Sequence, residues 1–184
     1  MSPKVYTRRG DDGSTGLLYG GRVDKSDLRT EAYGSTDEAV AALGMARAVI
    51  ADGHLADLVL QLQRELFVVG AELATDVANA HRLKGGHTKV TAGMVDHLEA
   101  LIDEYTAKFR MPEEFVVPGE TQGSAFLDFA RTVVRRAERH TVAMDRAGLL
   151  SDREAVRYLN RLADLVFVLA RYEEGDFRTL RTDR

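Results

Sequence analysis

Three prolines are all this chain contains, and they stand at positions 3, 112 and 118. Proline lacks a backbone donor and its ring clashes with the preceding turn, so it interrupts a helix wherever it falls inside one. Most of the backbone is therefore free to be helical, and the apolar residues use that freedom. "LADLVLQLQRELFVVGAELATDV", from residue 55, repeats apolar side chains at the spacing of one helical face. Such a pattern predicts an all-α fold.

The expected elements follow from caps and breakers. Ser35 and Glu38 in "STDE" match a capping box and open a first helix, "AVAALGMARAVIA", that stops near Asp52-Gly53. A second helix runs over residues 55–79, followed by the polar loop "AHRLKGGHTK". Thr91 starts a third, which Pro112 keeps from extending far. "EFVVPGETQG" reads as a short extended connector into a long fourth helix, residues 124–147, with Gly148 placed to end it. Ser151 and Glu154 form a second capping box for a fifth helix, which runs to Glu174-Gly175. The tail "DFRTLRTDR" is expected to be mobile or weakly docked. No repeat or domain boundary interrupts this order. It predicts one domain over residues 1–184: an antiparallel five-helix bundle, 35–175, preceded by a glycine-rich arm, 1–30.

Composition narrows the function. A hydrophobic content of 45% with 29% charged residues is that of an ordinary globular protein. A formal net charge of −4 argues against a general nucleic-acid binder. Cysteine is absent, which removes disulfides, thiolate metal sites and cysteine nucleophiles. The run Leu165 to Ala170 is too short to cross a bilayer and no hydrophobic signal core opens the chain, so no membrane association and a cytoplasmic location are expected. None of His54, His81, His87, His97 and His140 has a glutamate three positions before it or a histidine four away, so neither di-iron nor zinc spacing is present. No serine stands in a nucleophile elbow. An enzyme with this sequence would run chemistry that needs no protein nucleophile.

The fourth helix carries the strongest anomaly. On a wheel of about 100° per residue, Phe126, Ala130, Val133, Ala137, Thr141 and Met144 share the core arc. Arg131, Arg135 and Glu138 fall on a different line, about 120° away. A solvated face with one helical ion pair, worth roughly 0.3–0.5 kcal/mol, would show the same spacing. Yet "ARTVVRRAERHTVAMDR" holds five arginines in a chain of negative net charge, a ridge suited to an anion. On the fifth helix Tyr158, Leu162, Leu165, Val166 and Leu169 form the core arc, with Arg153, Asn160, Asp164, Phe167 and Arg171 opposite. Phe167 there suits a subunit contact or a ligand. At the other end, "YTRRGDDGSTGLLYGG" places five glycines in sixteen positions. Glycines let backbone N–H groups approach a polyphosphate, although a tail would share the composition and the Gly-Lys-Ser/Thr ending of a phosphate loop is missing.

Taken together, "YTRRGDDGSTGL", "KSDLRTEAYGSTDE", "FVVPG", "ARTVVRRAER" and "YLNRLADLVFVLAR" resemble the PduO-type ATP:cob(I)alamin adenosyltransferases, in order from about residue 5 to 173. The resemblance implies a homotrimer with active sites between subunits. It implies transfer of the 5′-deoxyadenosyl group of ATP to the cobalt of reduced corrinoid, with release of triphosphate. By the same resemblance Thr7, Gly10, Asp11, Gly13 and Thr15 wrap ATP, and Lys25 reaches its phosphates. Arg131 and Arg135 contact ATP, Glu138 orients them or the ribose and metal, and Asn160 is a further nucleotide contact. Mg²⁺ would be held mainly through ATP, with help from Glu138. Asp37 would pair across the subunit boundary with Arg131, and Phe115 would line the corrinoid pocket and ease cobalt reduction. Handover of product to an adenosylcobalamin-dependent mutase is implied as well; a carrier or sensor of adenosylcobalamin or ATP with little turnover is the alternative. Glu120 after "PG", Asp128 where a histidine is frequent, and "DEAV" depart from the family pattern.

Overall fold

The computed structural model describes residue 6 and residues 8–180. Among them are five α-helices, one 3-10 helix and four short strands. The strands β1 (Ser14–Gly16) and β2 (Arg22–Asp24) form an antiparallel hairpin, with Thr15 opposite Val23. Helices α1 (Leu28–Val49) and α2 (Gly53–Leu73) follow, then the 3-10 helix Val77–Arg82 and α3 (Ala92–Thr106). Strand β3 (Val116–Val117) precedes α4 (Gln122–Arg146) and α5 (Glu154–Glu174), and β4 (Arg178–Thr179) returns antiparallel onto β3. Helix α1 packs on α4 and α2, while α5 packs on α4 and α3. Leu43, Leu62, Leu66, Leu98, Leu127, Leu159 and Leu162 are all but sealed from solvent, each removing roughly 1.5–3 kcal/mol of apolar exposure. Among the described residues no helix is long and apolar enough to cross a membrane.

Several boundaries differ from the sequence expectation, each for a local reason. Helix α1 begins at Leu28, seven residues before Ser35, because the Asp27 carboxylate accepts from the Arg29 N–H at 2.8 Å. Ser35 lies inside the helix, where its hydroxyl donates to Glu31 O at 2.7 Å and meets His140 Nδ1 at 2.8 Å. Helix α1 stops at Val49, close to the expected Asp52-Gly53, and Asp52 also caps the second helix. That second helix stops at Leu73 rather than near 79, and Asp76 caps the 3-10 helix beyond it. The Ser151/Glu154 capping box does not form: Asp152 accepts the Glu154 N–H at 3.0 Å. Thr91 caps α3 as expected, and Thr121 with Ser124 forms a reciprocal capping box at the start of α4. Nor is the tail loosely placed up to Leu180, since β4 pairs Thr179 with Val116 and Arg178 with Val117.

Candidate active site

Helices α4 and α5 lie side by side, and the inner arcs assigned from the wheel are buried. Ala130, Ala137, Thr141 and Met144 of α4 are sealed, as are Tyr158, Leu162, Leu165, Val166 and Leu169 of α5; Phe126 is half-buried against the core. Turning these arcs inward aims Arg131, Arg135 and Glu138 along one flank. Arg131 and Arg135 open on a cavity of about 320 Å³ that also takes in Asp164, Phe167 and Met111. Farther along the same flank Arg131 and Phe167 line a second cavity, about 480 Å³, with Phe115, Asp128 and Arg171. The two spaces share Arg131 and Phe167, whose ring lies 6.0 Å from the Arg131 guanidinium carbon and 5.2 Å from that of Arg171. A guanidinium near an aromatic face is favourably placed.

Next to the ridge, Glu138 Oε1 accepts from Asn160 Nδ2 at 3.0 Å, and Asn160 Oδ1 in turn accepts from Arg161 at 2.7 Å. The sequence placed Glu138 and Asn160 on separate helices without linking them. Desolvation raises the Asp164 carboxyl above its ordinary value, Arg161 and Arg135 opposing the shift and Glu138 reinforcing it.

Phe115 is 83% exposed, a costly position for a large ring unless something covers it. Its segment is fixed from behind: Leu180 N–H donates to Phe115 O at 2.7 Å, and Arg178 Nε lies 3.0 Å from Glu120. Glu120 thus has a partner in the tail. Asp128 has one as well, because Arg171, expected on the outer arc of α5, is 1% exposed and bound between Asp128 and Glu174. The wheel misplaced Arg171 because it registers polarity and cannot register two buried carboxylates waiting for it.

The glycine-rich segment forms a folded loop at the open end of the β1–β2 hairpin. Lys25 Nζ donates to Gly10 O at 2.7 Å, and the Lys25 N–H donates to Gly13 O at 2.8 Å. Gly13 has φ 84°, a conformation most side chains avoid, and a Cβ on Gly10 would press within 3.2 Å of Lys25 Nζ. The distal turn of the hairpin is docked, with Leu18 N–H on Ala74 O at 2.9 Å and Arg82 on Tyr19 O at 2.8 Å. Asp11 is exposed and Thr15 half-buried within the hairpin. None of Gly10, Asp11, Gly13, Thr15 and Lys25 lines the two cavities of the ridge. Thr7 lies outside the described residues. Asp37 lines a third, largely apolar cavity of about 520 Å³ between α1 and α2, together with Tyr33, Phe67 and Leu18. Within one chain the structure therefore does not bring Asp37 to Arg131.

Against this geometry, the family model for cobalamin adenosyltransferase matches residues 5–173. The chain belongs to the cobalamin adenosyltransferase family. Among its relatives, the corrinoid adenosyltransferase of Citrobacter freundii is 44% identical over 171 residues, covering 93% of this chain and 95% of that one. The Bacillus subtilis corrinoid adenosyltransferase is 39% identical, covering 91% of this chain and 85% of the relative. A variant of the PduO-type ATP:corrinoid adenosyltransferase from Lactobacillus reuteri, solved with cobalamin and ATP, superposes with a TM-score of 0.88 at 31% identity over 98% of both chains. A second variant of that protein, solved with ATP, gives 0.86 at 30% identity. A cobalamin adenosyltransferase needs room for a nucleotide and a macrocycle side by side, and adjoining cavities with one shared arginine are suited to it.

Proposed function

We propose that this chain transfers the 5′-deoxyadenosyl group of ATP to the cobalt of cob(I)alamin, giving adenosylcobalamin and triphosphate. The observation that carries the reading is the pair of arginines on one flank of α4, Arg131 and Arg135, opening on a cavity that adjoins a second one bearing Phe115. Cobalt(I) supplies the electron pair, the cobalt–carbon bond forms at C5′ as the C5′–O bond breaks, and the pair from that bond leaves on the triphosphate oxygen. No proton needs to move. The protein's share is orientation and charge: guanidinium forks match phosphate oxygens two at a time and stabilise the departing anion.

In this reading Arg131 and Arg135 grip the phosphates, Glu138 and Asn160 act as one hydrogen-bonded unit beside them, and Phe115 with Phe167 meets the corrinoid. Gly10, Asp11, Gly13 and Thr15 form the nucleotide clamp, with Thr7 at its start, and Lys25 exchanges its Gly10 carbonyl for a phosphate. Mg²⁺ fits this donor set only as an ion carried by the nucleotide. Among the described residues no cluster of three or more His, Cys, Asp or Glu could hold a metal, and Glu138 offers one carboxylate already engaged by Asn160. We further infer a homotrimer of antiparallel helical bundles, each one domain, with Asp37 of one subunit reaching Arg131 of the next. The exposed Phe67 and Leu18 around the Asp37 cavity support a second copy of the chain as its cover.

The test mixes protein, Mg-ATP and chemically reduced cobalamin without oxygen and follows the appearance of light-sensitive alkylcobalamin. Wild type is expected to turn over. Arg135→Lys keeps the charge but loses the planar fork, and should fall by about 10²–10³-fold. Binding of both ligands with no alkylcobalamin would favour the carrier or sensor; wild-type rates in Arg135→Lys would remove the ridge from the mechanism.

A further inference from the structure

Under the floor of the Phe115 cavity lies a cluster of charge that the reaction as described does not use. Arg171, Asp128 and Glu174 are 1%, 4% and 8% exposed. Arg171 Nη2 donates to Asp128 Oδ2 at 2.5 Å and to Glu174 Oε2 at 2.5 Å, and its Nε donates to Glu174 at 2.9 Å. Two buried anions around one buried cation leave an excess negative charge, and Glu174 Oε1 has no hydrogen-bond partner. A buried ionic group is expensive unless it is fully paired. Arg131 supplies the missing charge: its Nε lies 3.4 Å from Asp128 Oδ1. Within a single chain, and among the described residues, Asp128 is the one carboxylate paired with Arg131.

We infer that Asp128, locked by Arg171 and Glu174, is a positioning residue that aims Arg131 into the active site. This rests on the proposed phosphate role of Arg131. The two oxygens of Asp128 are divided between two arginines, Oδ2 to Arg171 and Oδ1 to Arg131. Asp128 takes Arg131 by its Nε and not by its Nη groups, which leaves the Nη pair for an anion. Phe167 lies against the same guanidinium. A face and an edge together remove most of the rotational freedom of a long side chain before ligand arrives, and ordering it beforehand lowers the cost of binding. Asp128 also sits one turn before Arg131 on α4, so the two move as one rigid element.

Asp128→Asn tests this cleanly because the two arginines compete for one oxygen. The amide oxygen goes to buried Arg171, which presents the amide NH₂ to the Arg131 Nε–H, donor against donor. Arg171 keeps Glu174, so the fold is retained, as thermal melting would verify. Three measurements are then made on Asp128→Asn, Arg131→Lys and the double variant: ATP affinity by calorimetry without corrinoid, kcat, and KM for ATP. Asp128→Asn should lose on the order of tenfold in kcat/KM for ATP. The double variant should match Arg131→Lys alone, since an Arg131 that is gone cannot be mis-aimed. Asp128→Glu, which retains charge and reach, should recover most of the activity, whereas a packing role would make this larger side chain the worse of the two.

Losses that multiply in the double variant, or an Asp128→Glu variant worse than Asp128→Asn, would overturn the inference. So would wild-type kinetics in Asp128→Asn while Arg131→Lys is impaired, and in that case the ridge itself would stand. Wild-type kinetics in Arg131→Lys would instead bring down the ridge reading, and the positioning role with it.

Discussion

Glu72, near the end of α2, is 4% exposed and has one carboxylate oxygen accepting from the Val90 N–H at 2.7 Å while the other has no partner. Burial pushes its carboxyl up to about 7; Asp152 and Glu154 add to the shift, and the Val90 N–H and Lys89 oppose it. The folded chain therefore binds a proton between pH 4.5 and 7 that the unfolded chain has released. By linkage, stability falls as pH rises through that window and levels off above it. A shift of this size corresponds to about 3 kcal/mol lost above pH 7. Glu72→Gln cannot ionise and still offers an oxygen to Val90, so it should gain up to that amount at pH 8 and little at pH 4.5. Denaturant midpoints across pH check it, and parallel curves for the two proteins would sink the assignment. Position 72 was legible in the sequence only as a glutamate within an amphipathic helix. Its burial depends on the 89–90 segment folding over it, which periodicity within α2 does not encode.

Helix α4 carries the ridge, and its orientation is set at its first turn. Thr121 accepts the Ser124 N–H at 3.0 Å, and the Ser124 hydroxyl accepts the Thr121 N–H at 3.1 Å. Thr121→Ala breaks one half of this box and should cost about 1 kcal/mol, seen as a lowered denaturant midpoint with an unchanged m-value. No change would mean that tertiary packing alone fixes that end. Elements of this kind were largely readable beforehand, and so was the arc of α4 that faces inward, because apolar spacing and local caps are properties of adjacent residues. The failures share one cause. Ser35, Ser151 and Asp52 are all residue types that cap helices, and nothing local says that Asp27 will cap α1, that Asp52 will cap α2, or that α5 will start without a side-chain cap. The strand pairing of β3 with β4 joins segments about sixty residues apart, and neither short run announces a partner.

At the scale of the molecule, the proposed trimer follows from what a single chain leaves open. Phe67 is 64% exposed on the rim of the cavity that holds Asp37, and neither meets the ridge within its own subunit. Phe67→Glu should leave the monomer folded, since the side chain contributes little to the core, but should place a charge where a second copy packs. Light scattering is expected to give three times the chain mass for wild type and a smaller species for the variant, with turnover falling in parallel. A wild-type monomer at all concentrations would end the trimer reading. By itself the sequence determined that this chain is helical, which faces of α4 and α5 are apolar, and which family it resembles, because each of these is written in spacing or in short ordered motifs. Tertiary structure alone decided that Arg171 is buried between Asp128 and Glu174, that Glu138 meets Asn160, and that the tail holds the Phe115 segment. Apart from Glu174, which lies one turn along α5 from Arg171, the partners in those contacts come from distant parts of the chain, and Arg171 can be buried only where Asp128 arrives from α4 to meet it.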